Sequence, residues 1–483
     1  MTVLRKNATY NILLSLTQIL FPLITFPYAS RVLGPAAVGA VSLADNFTIY
    51  FLIFSGLGIP LYGVREVARV KHDLTRLGKT FSSLFFIHLI SSTIAVCILF
   101  IISWHVQKLH SNFVLYQIGM AILMGSVFIV EWFFQGMEEF RYITVRTVLI
   151  RLLTIPLLFI LVKGPEDRNI YFGLSLVVTL ITGGFNMYFV TKKIKISVRT
   201  LEVKRHLKPL FLILSSALVT TIYLVFDTVI LGFLTNDTNV GYYTASMRIA
   251  KISLSVMGAV SIVLLPRLTL IFHQQDYKTA SSLLNRSIRF VIFLSVPIAM
   301  GIFCLSNEII SIFAGKDYLP AVNSLKILSF VVIFVGLAQV FSNQILLPLK
   351  QERKILYASI VGVAISLSLN FTLIPIFMHV GAAISSLLTE LTVTIILYAF
   401  TRKLFPVSVP MIVFLKNFLT SMLFFFIKYL ILRFTVVPIF VLTFTIGLST
   451  LSYMLVQLLI WKDKDIIELL SSQSRVGFLN RLK

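Results

Sequence analysis

The chain has 483 residues, 58% of them hydrophobic and only 13% charged. A bilayer-spanning helix takes about 20 apolar residues, so this composition leaves almost no length for a water-soluble domain. The net charge of +23, from 42 Lys and Arg against 19 Asp and Glu, would point to nucleic acid in a soluble protein. In a chain this apolar the basic residues instead orient helices by staying in the cytoplasm, and no nucleic-acid partner is expected.

Apolar segments fall at about 10–32, 42–64, 80–103, 114–137, 143–163, 169–191, 209–233, 242–270, 287–306, 322–347, 355–377, 380–401, 411–432 and 437–461, each about long enough to span. The spacing predicts an all-α integral membrane protein of about 14 helices. Arg5 and Lys6 imitate the start of a signal peptide, but Pro22, Pro27 and the absence of a small-residue cleavage site make the first segment a retained helix. Basic residues gather at alternate turns, first at Arg65, Arg69, Lys71, Arg76 and Lys79. The richest cluster is Lys192, Lys193, Lys195, Arg199, Lys204, Arg205 and Lys208. With the N-terminus inside, about 32 of the 42 Lys and Arg lie in or beside cytoplasmic segments and about 10 elsewhere. An even helix count returns Lys462, Lys464, Arg475, Arg481 and Lys483 to that side, so both termini are expected in the cytoplasm.

The basic interval divides the chain into an N-terminal lobe over 1–195, a linker over 196–208, a C-terminal lobe over 209–403, and two further helices with a tail over 404–483. Each lobe holds six helices. Val38-Gly39-Ala40-Val41-Ser42 and Val240-Gly241-Tyr242-Tyr243-Thr244 repeat at an offset of roughly 200 residues, as do Phe140-Arg141-Tyr142 and Glu352-Arg353-Lys354 at a similar one. Duplicated helical halves are the plan of many secondary transporters, with substrate held between the repeats. An even number of helices per half makes the repeats enter in the same direction, related by an axis along the membrane normal.

Loops on the far side are no longer than about 15 residues, too short for the soluble catalytic segments of membrane glycosyltransferases and polymerases. Phosphate loop, zinc-ligand spacing and nucleophile elbow are all missing, so neither enzyme chemistry nor a metal site is expected. Cys97 and Cys304 lie in apolar segments and read as buried small hydrophobes. His88 reads as a packed polar residue. Tyr28, Tyr62, Tyr142 and Tyr242 suit an interfacial belt. Pro22, Pro27, Pro156, Pro266, Pro297 and Pro375 interrupt helices.

A charge at the bilayer centre costs about 2.5–3.5 kcal/mol on insertion scales, so such residues face a cavity or a partner. Arg31, Asp45, Glu131, Arg146 and Arg151 meet this condition in the first half, and Asp227, Arg248, Lys251 and Glu390 in the second. Arg248 and Lys251 are three apart and share a helical face. With Arg31 and Arg151 they could form a cationic pocket suited to a diphosphate, since guanidinium presents a planar donor fork; snorkelling to the headgroups is the competing reading. Glu131 is expected to pair with an Arg of the fifth helix or to titrate. Asp227 and Glu390 are candidates for ion coupling or structural pairing, and Asp45 for a cap or ion pair.

Phe26-Pro27-Tyr28 with Arg31-Val32-Leu33-Gly34-Pro35, then Leu57-Gly58-Ile59 with Tyr62-Gly63-Val64-Arg65-Glu66, resemble the opening of Wzx-type polysaccharide flippases. These belong to the multidrug/oligosaccharidyl-lipid/polysaccharide exporter superfamily. Glu131-Trp132-Phe133-Phe134-Gln135-Gly136, Val240-Gly241-Tyr242-Tyr243-Thr244-Ala245 and Leu265-Pro266-Arg267-Leu268 are similar to later parts of that family. The resemblance covers almost the whole chain. It implies a V-shaped pair of lobes, two C-terminal helices, and movement of an undecaprenyl-diphosphate-linked oligosaccharide repeat unit (O-antigen, capsule or teichoic acid) across a bacterial plasma membrane by alternating access. It also implies an H⁺ or Na⁺ gradient as the drive with no bound cofactor, and a polysaccharide polymerase and glycosyltransferases as working partners. A lipid II flippase and a cation-coupled drug or metabolite antiporter of the same superfamily are the alternatives. Residues 10–30 contain neither the Arg–Asp pair of the former nor the coupling carboxylate of the latter.

Overall fold

A computed structural model describes residues 2–197 and 201–461. Arg199 and the basic tail from Lys462 to Lys483 lie outside the described residues. Among those described, every regular element is a helix. Bilayer-depth backbone must satisfy its own hydrogen bonds, and fourteen helices do so. They are α1 (2–33), α2 (35–70), α3 (Leu74–His105), α4 (Phe113–Gly136), α5 (Phe140–Leu161), α6 (Arg168–Lys193), α7 (Val203–Leu234), α8 (Asp237–His273), α9 (Tyr277–Phe313), α10 (Ala321–Leu346), α11 (352–377), α12 (379–404), α13 (Met411–Leu432) and α14 (Pro438–Ile460).

The breaks do not fall at the prolines named above, which stay inside helical runs. Gly34 (φ 76°) separates α1 from α2, and Met378 (φ 51°) separates α11 from α12. α2 turns again at Leu57 and Gly58 (φ 49° and 80°) before its last stretch, Ile59–Val70. α4 is interrupted between Ser126 and Glu131. A left-handed residue redirects a helix abruptly. A proline within a membrane helix is absorbed by local adjustment.

The chain packs as two compact units, Met1–Thr244 and Ala245–Lys483. In the first, the ends of α2 and α4, the starts of α3, α5 and α7, and the end of α6 share one basic end. Ile59, Tyr62, Phe81, Trp132, Phe133 and Phe134 bury themselves there, with Phe81 stacked on Trp132 at 5.4 Å. Small residues let the helices close: a Cβ on Gly63 would lie 2.6 Å from the Trp132 ring, and one on Gly136 2.6 Å from Val67. The linker is strapped to α3, with the Ser197 and Glu202 amides donating to the hydroxyls of Ser82 and Ser83 at 3.0 and 2.9 Å.

α7 packs along α1 and α2 within this unit. At the opposite end Gly39 and Gly241 cross, with Gly39 against the Asp237 carbonyl and Gly241 against the Pro35 carbonyl. In the second unit α9, α10, α11 and α12 form the core, and α13 and α14 lean on α9 through Leu305, Ile431 and Val441.

Candidate functional site

Glu131 opens the short last stretch of α4, and Arg146 faces it from α5. The Arg146 guanidinium is buried at 6% exposure. Its Nη2 donates to Glu131 Oε1 and its Nη1 to Asn186 Oδ1 of α6. Nη2 also lies 3.2 Å from Thr147 Oγ1. Tyr142 donates to the same Asn186 oxygen at 3.0 Å and offers its ring to the guanidinium at 5.5 Å. Three helices are thus joined through one cation. The expected pairing of Glu131 with an Arg of the fifth helix is what the structure holds. Among the described residues no cluster of three His, Cys, Asp or Glu could hold a metal ion.

Arg151 lies five residues beyond Arg146 on α5 and is half-buried, with its guanidinium 5.4 Å over the Phe21 ring of α1. Its Nη1 is buried with no hydrogen-bond partner. A desolvated donor left open costs about 1–3 kcal/mol, more when charged, and an arriving anion removes that cost.

The remaining candidates divide between the two units. In the first, Arg31 and Asp45 are exposed, while Asp227 is half-buried and accepts from the Tyr243 hydroxyl at 3.1 Å. In the second, Arg248 is half-buried and Lys251 exposed, three residues apart on α8; Glu390 of α12 is half-buried.

Three of the four tyrosines named above as belt residues, Tyr28, Tyr62 and Tyr142, use their hydroxyls inside the protein. Tyr28 donates to the Val162 carbonyl at 2.8 Å, and Tyr142 to Asn186. Tyr62 is buried with its hydroxyl 2.9 Å from His206 Nδ1. His206 precedes the apolar part of α7. Burial pushes its imidazole below the ordinary value, Glu66 and Glu202 oppose that shift and Arg205 adds to it; the neutral ring can accept the phenol proton. His88 is buried in α3 as expected and Cys304 is buried, but Cys97 is exposed on the outward face of α3.

Sequence reasoning missed one buried ion pair. Lys428 of α13 donates to Glu308 Oε2 of α9 at 2.8 Å and to the Cys304 carbonyl at 2.7 Å. The two side chains are 15% and 12% exposed. Nearby, Asn417 Oδ1 accepts from Tyr453 and from Gln457, the latter at 2.8 Å. The signal was present, since Lys428 sits in an apolar run. Ending the ninth segment at 306 put Glu308 outside the membrane, whereas α9 continues to Phe313.

Residues 4–272 match the family model described as polysaccharide biosynthesis protein, and residues 212–372 match that described as MatE. The first match spans more than half of the chain. The chain belongs to the polysaccharide biosynthesis protein family. The resemblance to Wzx-type flippases of the exporter superfamily is borne out. The chain is 26% identical to the putative O-antigen transporter of Escherichia coli (strain K12), over 83% of this chain and 97% of that protein. Its fold is similar to lipid II flippase MurJ in an inward closed conformation, with TM-score 0.78, 17% identity, and 94% and 99% of the two chains covered. It is also similar to an inward-facing multidrug resistance MATE family transporter, with TM-score 0.62, 15% identity, and 80% and 94% covered. This member of the family is therefore an all-α, multi-pass membrane protein with a flippase-like fold.

Proposed function

We propose that this protein is a flippase that carries an undecaprenyl-diphosphate-linked oligosaccharide repeat unit from the cytoplasmic to the outer leaflet of a bacterial plasma membrane, by alternating access. One observation carries the reading: a half-buried guanidinium, Arg151, holds a buried donor open, in a chain of which 83% aligns with 97% of a protein named putative O-antigen transporter. A lipid diphosphate is an anion that must pass the apolar phase, and preplaced guanidinium and ammonium groups lower the cost of its desolvation. Arg248, Lys251, Arg31 and Arg151 are assigned to the diphosphate and the first sugars. The polyprenyl tail stays in lipid, so no soluble domain and no catalytic group are needed.

The six-helix lobes over 1–195 and 209–403 supply the two moving bodies. An H⁺ or Na⁺ gradient drives the cycle without a cofactor, with Asp227, Glu390 and Asp45 as candidate coupling carboxylates beside Glu131. Both termini face the cytoplasm. Glycosyltransferases build the substrate and a polymerase consumes it. In a strain dependent on this chain, Arg248→Ala and Arg151→Ala should each abolish surface polysaccharide while membrane levels of the protein stay normal. Wild-type glycan display in both variants overturns the assignment.

A further inference from the structure

The second unit carries a recess unrelated to the residues assigned to transport. Its volume is about 360 Å³, and its lining is Ser282, Asn285, Arg286 and Arg289 of α9 with Ser408 and Pro410 of the segment joining α12 to α13. The α9 residues recur three, four and seven positions apart, which places them along one helical face. The opposite face buries Leu284, Ile288, Val291 and Ile292. α9 has 37 residues, far more than the about 20 that cross the hydrocarbon, so its first turns stand at headgroup level.

The other wall is held in place before anything binds. Phe405 and Val407 are buried, and Phe405 packs edge-on against Phe272 at 5.5 Å. Alternation then turns Ser408 outward. Immediately beyond Pro410, Met411 and Ile412 of α13 are exposed apolar side chains. The recess is therefore amphipathic, with guanidiniums, hydroxyls and an amide inside and a hydrocarbon surface at its lip. Two guanidiniums match phosphate oxygens through paired donors. Basic pockets at this level, flanked by lipid-facing helices, suit anionic headgroups.

We propose that this recess binds the phosphodiester headgroup of an anionic membrane phospholipid, with the acyl chains lying on α13 beside Met411 and Ile412. The site is separate from the transport residues and does not depend on the transported substrate.

The test uses the purified full-length protein in neutral detergent, melted against short-chain phosphatidylglycerol, short-chain phosphatidylcholine or inorganic phosphate. Phosphatidylglycerol should raise the wild-type Tm in a saturable way, and the other two should not. Arg286→Gln/Arg289→Gln should weaken half-saturation by on the order of tenfold or more. Arg353→Gln/Arg402→Gln, which removes equal charge from the same end of the unit, should leave it unchanged. Ser408→Trp keeps the charge and fills the recess, and should also weaken binding. If the double Arg variant does not fold, the lipid retained by Ser408→Trp in native mass spectrometry decides the matter: wild-type retention overturns the proposal. An equal response to phosphatidylcholine, a shift that survives both recess variants, or no shift in the wild type overturns it as well. A shift with inorganic phosphate alone would make the occupant a free anion and overturn the lipid assignment.

Discussion

Arg146 shows what a buried charge requires. Its guanidinium cannot snorkel from 6% exposure, so it is held by Glu131, Asn186 and the Tyr142 face. Taking one partner from a buried pair strands the other, typically at about 3–5 kcal/mol, while replacing both with apolar or neutral groups of similar volume can be neutral. The Glu131 side chain is 36% exposed, so the cost here falls toward the lower end. Glu131→Gln should therefore lower the Tm of the detergent-solubilised protein by several degrees. Adding Arg146→Met should return most of the loss, which a double-mutant cycle measures. If the double variant is no more stable than the single, the pair is not what holds Arg146. Arg151 differs in its partners: Arg146 leaves Nε open but is otherwise held by Glu131 and Asn186, whereas Arg151 leaves Nη1 open and lies over the Phe21 ring. Its open buried donor costs stability in the resting protein, so Arg151→Met should leave Tm unchanged or raise it.

Where α1–α2 meets α7–α8, helix geometry replaces charge as the deciding factor. Gly39 and Gly241 occupy equivalent places in the repeated strings, and their contacts are reciprocal. A Cβ on Gly39 would fall 1.7 Å from the Asp237 carbonyl, and one on Gly241 2.0 Å from the Pro35 carbonyl. Both obstacles are backbone and cannot swing aside. Alanine elsewhere in a helix is worth about 1 kcal/mol over glycine, and Gly173 and Gly184 have nothing within 4 Å of an added Cβ. Gly39→Ala and Gly241→Ala should each lower the Tm, and Gly173→Ala and Gly184→Ala should leave it level or higher; equal effects in all four would refute the close crossing. The number of helices and some of their breaks were readable because a span needs a fixed apolar length, so that 377/380 in the sequence became Met378 in the structure. The facing of the helices was not. In a bilayer the lipid side and the packed side are both apolar, so periodicity could not place Cys97 outward or Tyr62 inward. Nor could composition show that α9 outruns the membrane far enough to bring Glu308 to Lys428.

For the whole molecule, the loop charges predict an orientation, and it can be tested without disturbing packing. With both termini inside, about 32 of the 42 Lys and Arg lie in or beside cytoplasmic segments; inversion would put that majority outside. The turns differ in charge accordingly: Arg69, Lys71 and Arg76 surround the α2–α3 turn, whereas the stretch 106–112 between α3 and α4 has a single basic residue, Lys108, whose Nζ lies 3.8 Å from Asp237 Oδ1. His72, Ser111, Gln274 and Asp317 are exposed turn residues, each open to a reporter cysteine. Cys97, itself exposed, is first changed to Ala; Cys304 is buried and can remain. In intact cells a membrane-impermeant thiol reagent should label Ser111→Cys and Asp317→Cys, and leave His72→Cys and Gln274→Cys unlabelled until the membrane is permeabilised. The four sites sample both packed units, so one consistent pattern fixes the sidedness of each. The reverse pattern would place the basic linker outside and remove the physical basis for loading a cytoplasmic substrate. A split pattern, with the 274/317 pair reversed relative to the 72/111 pair, would instead refute the parallel repeat, because two six-helix halves must enter the membrane from the same side.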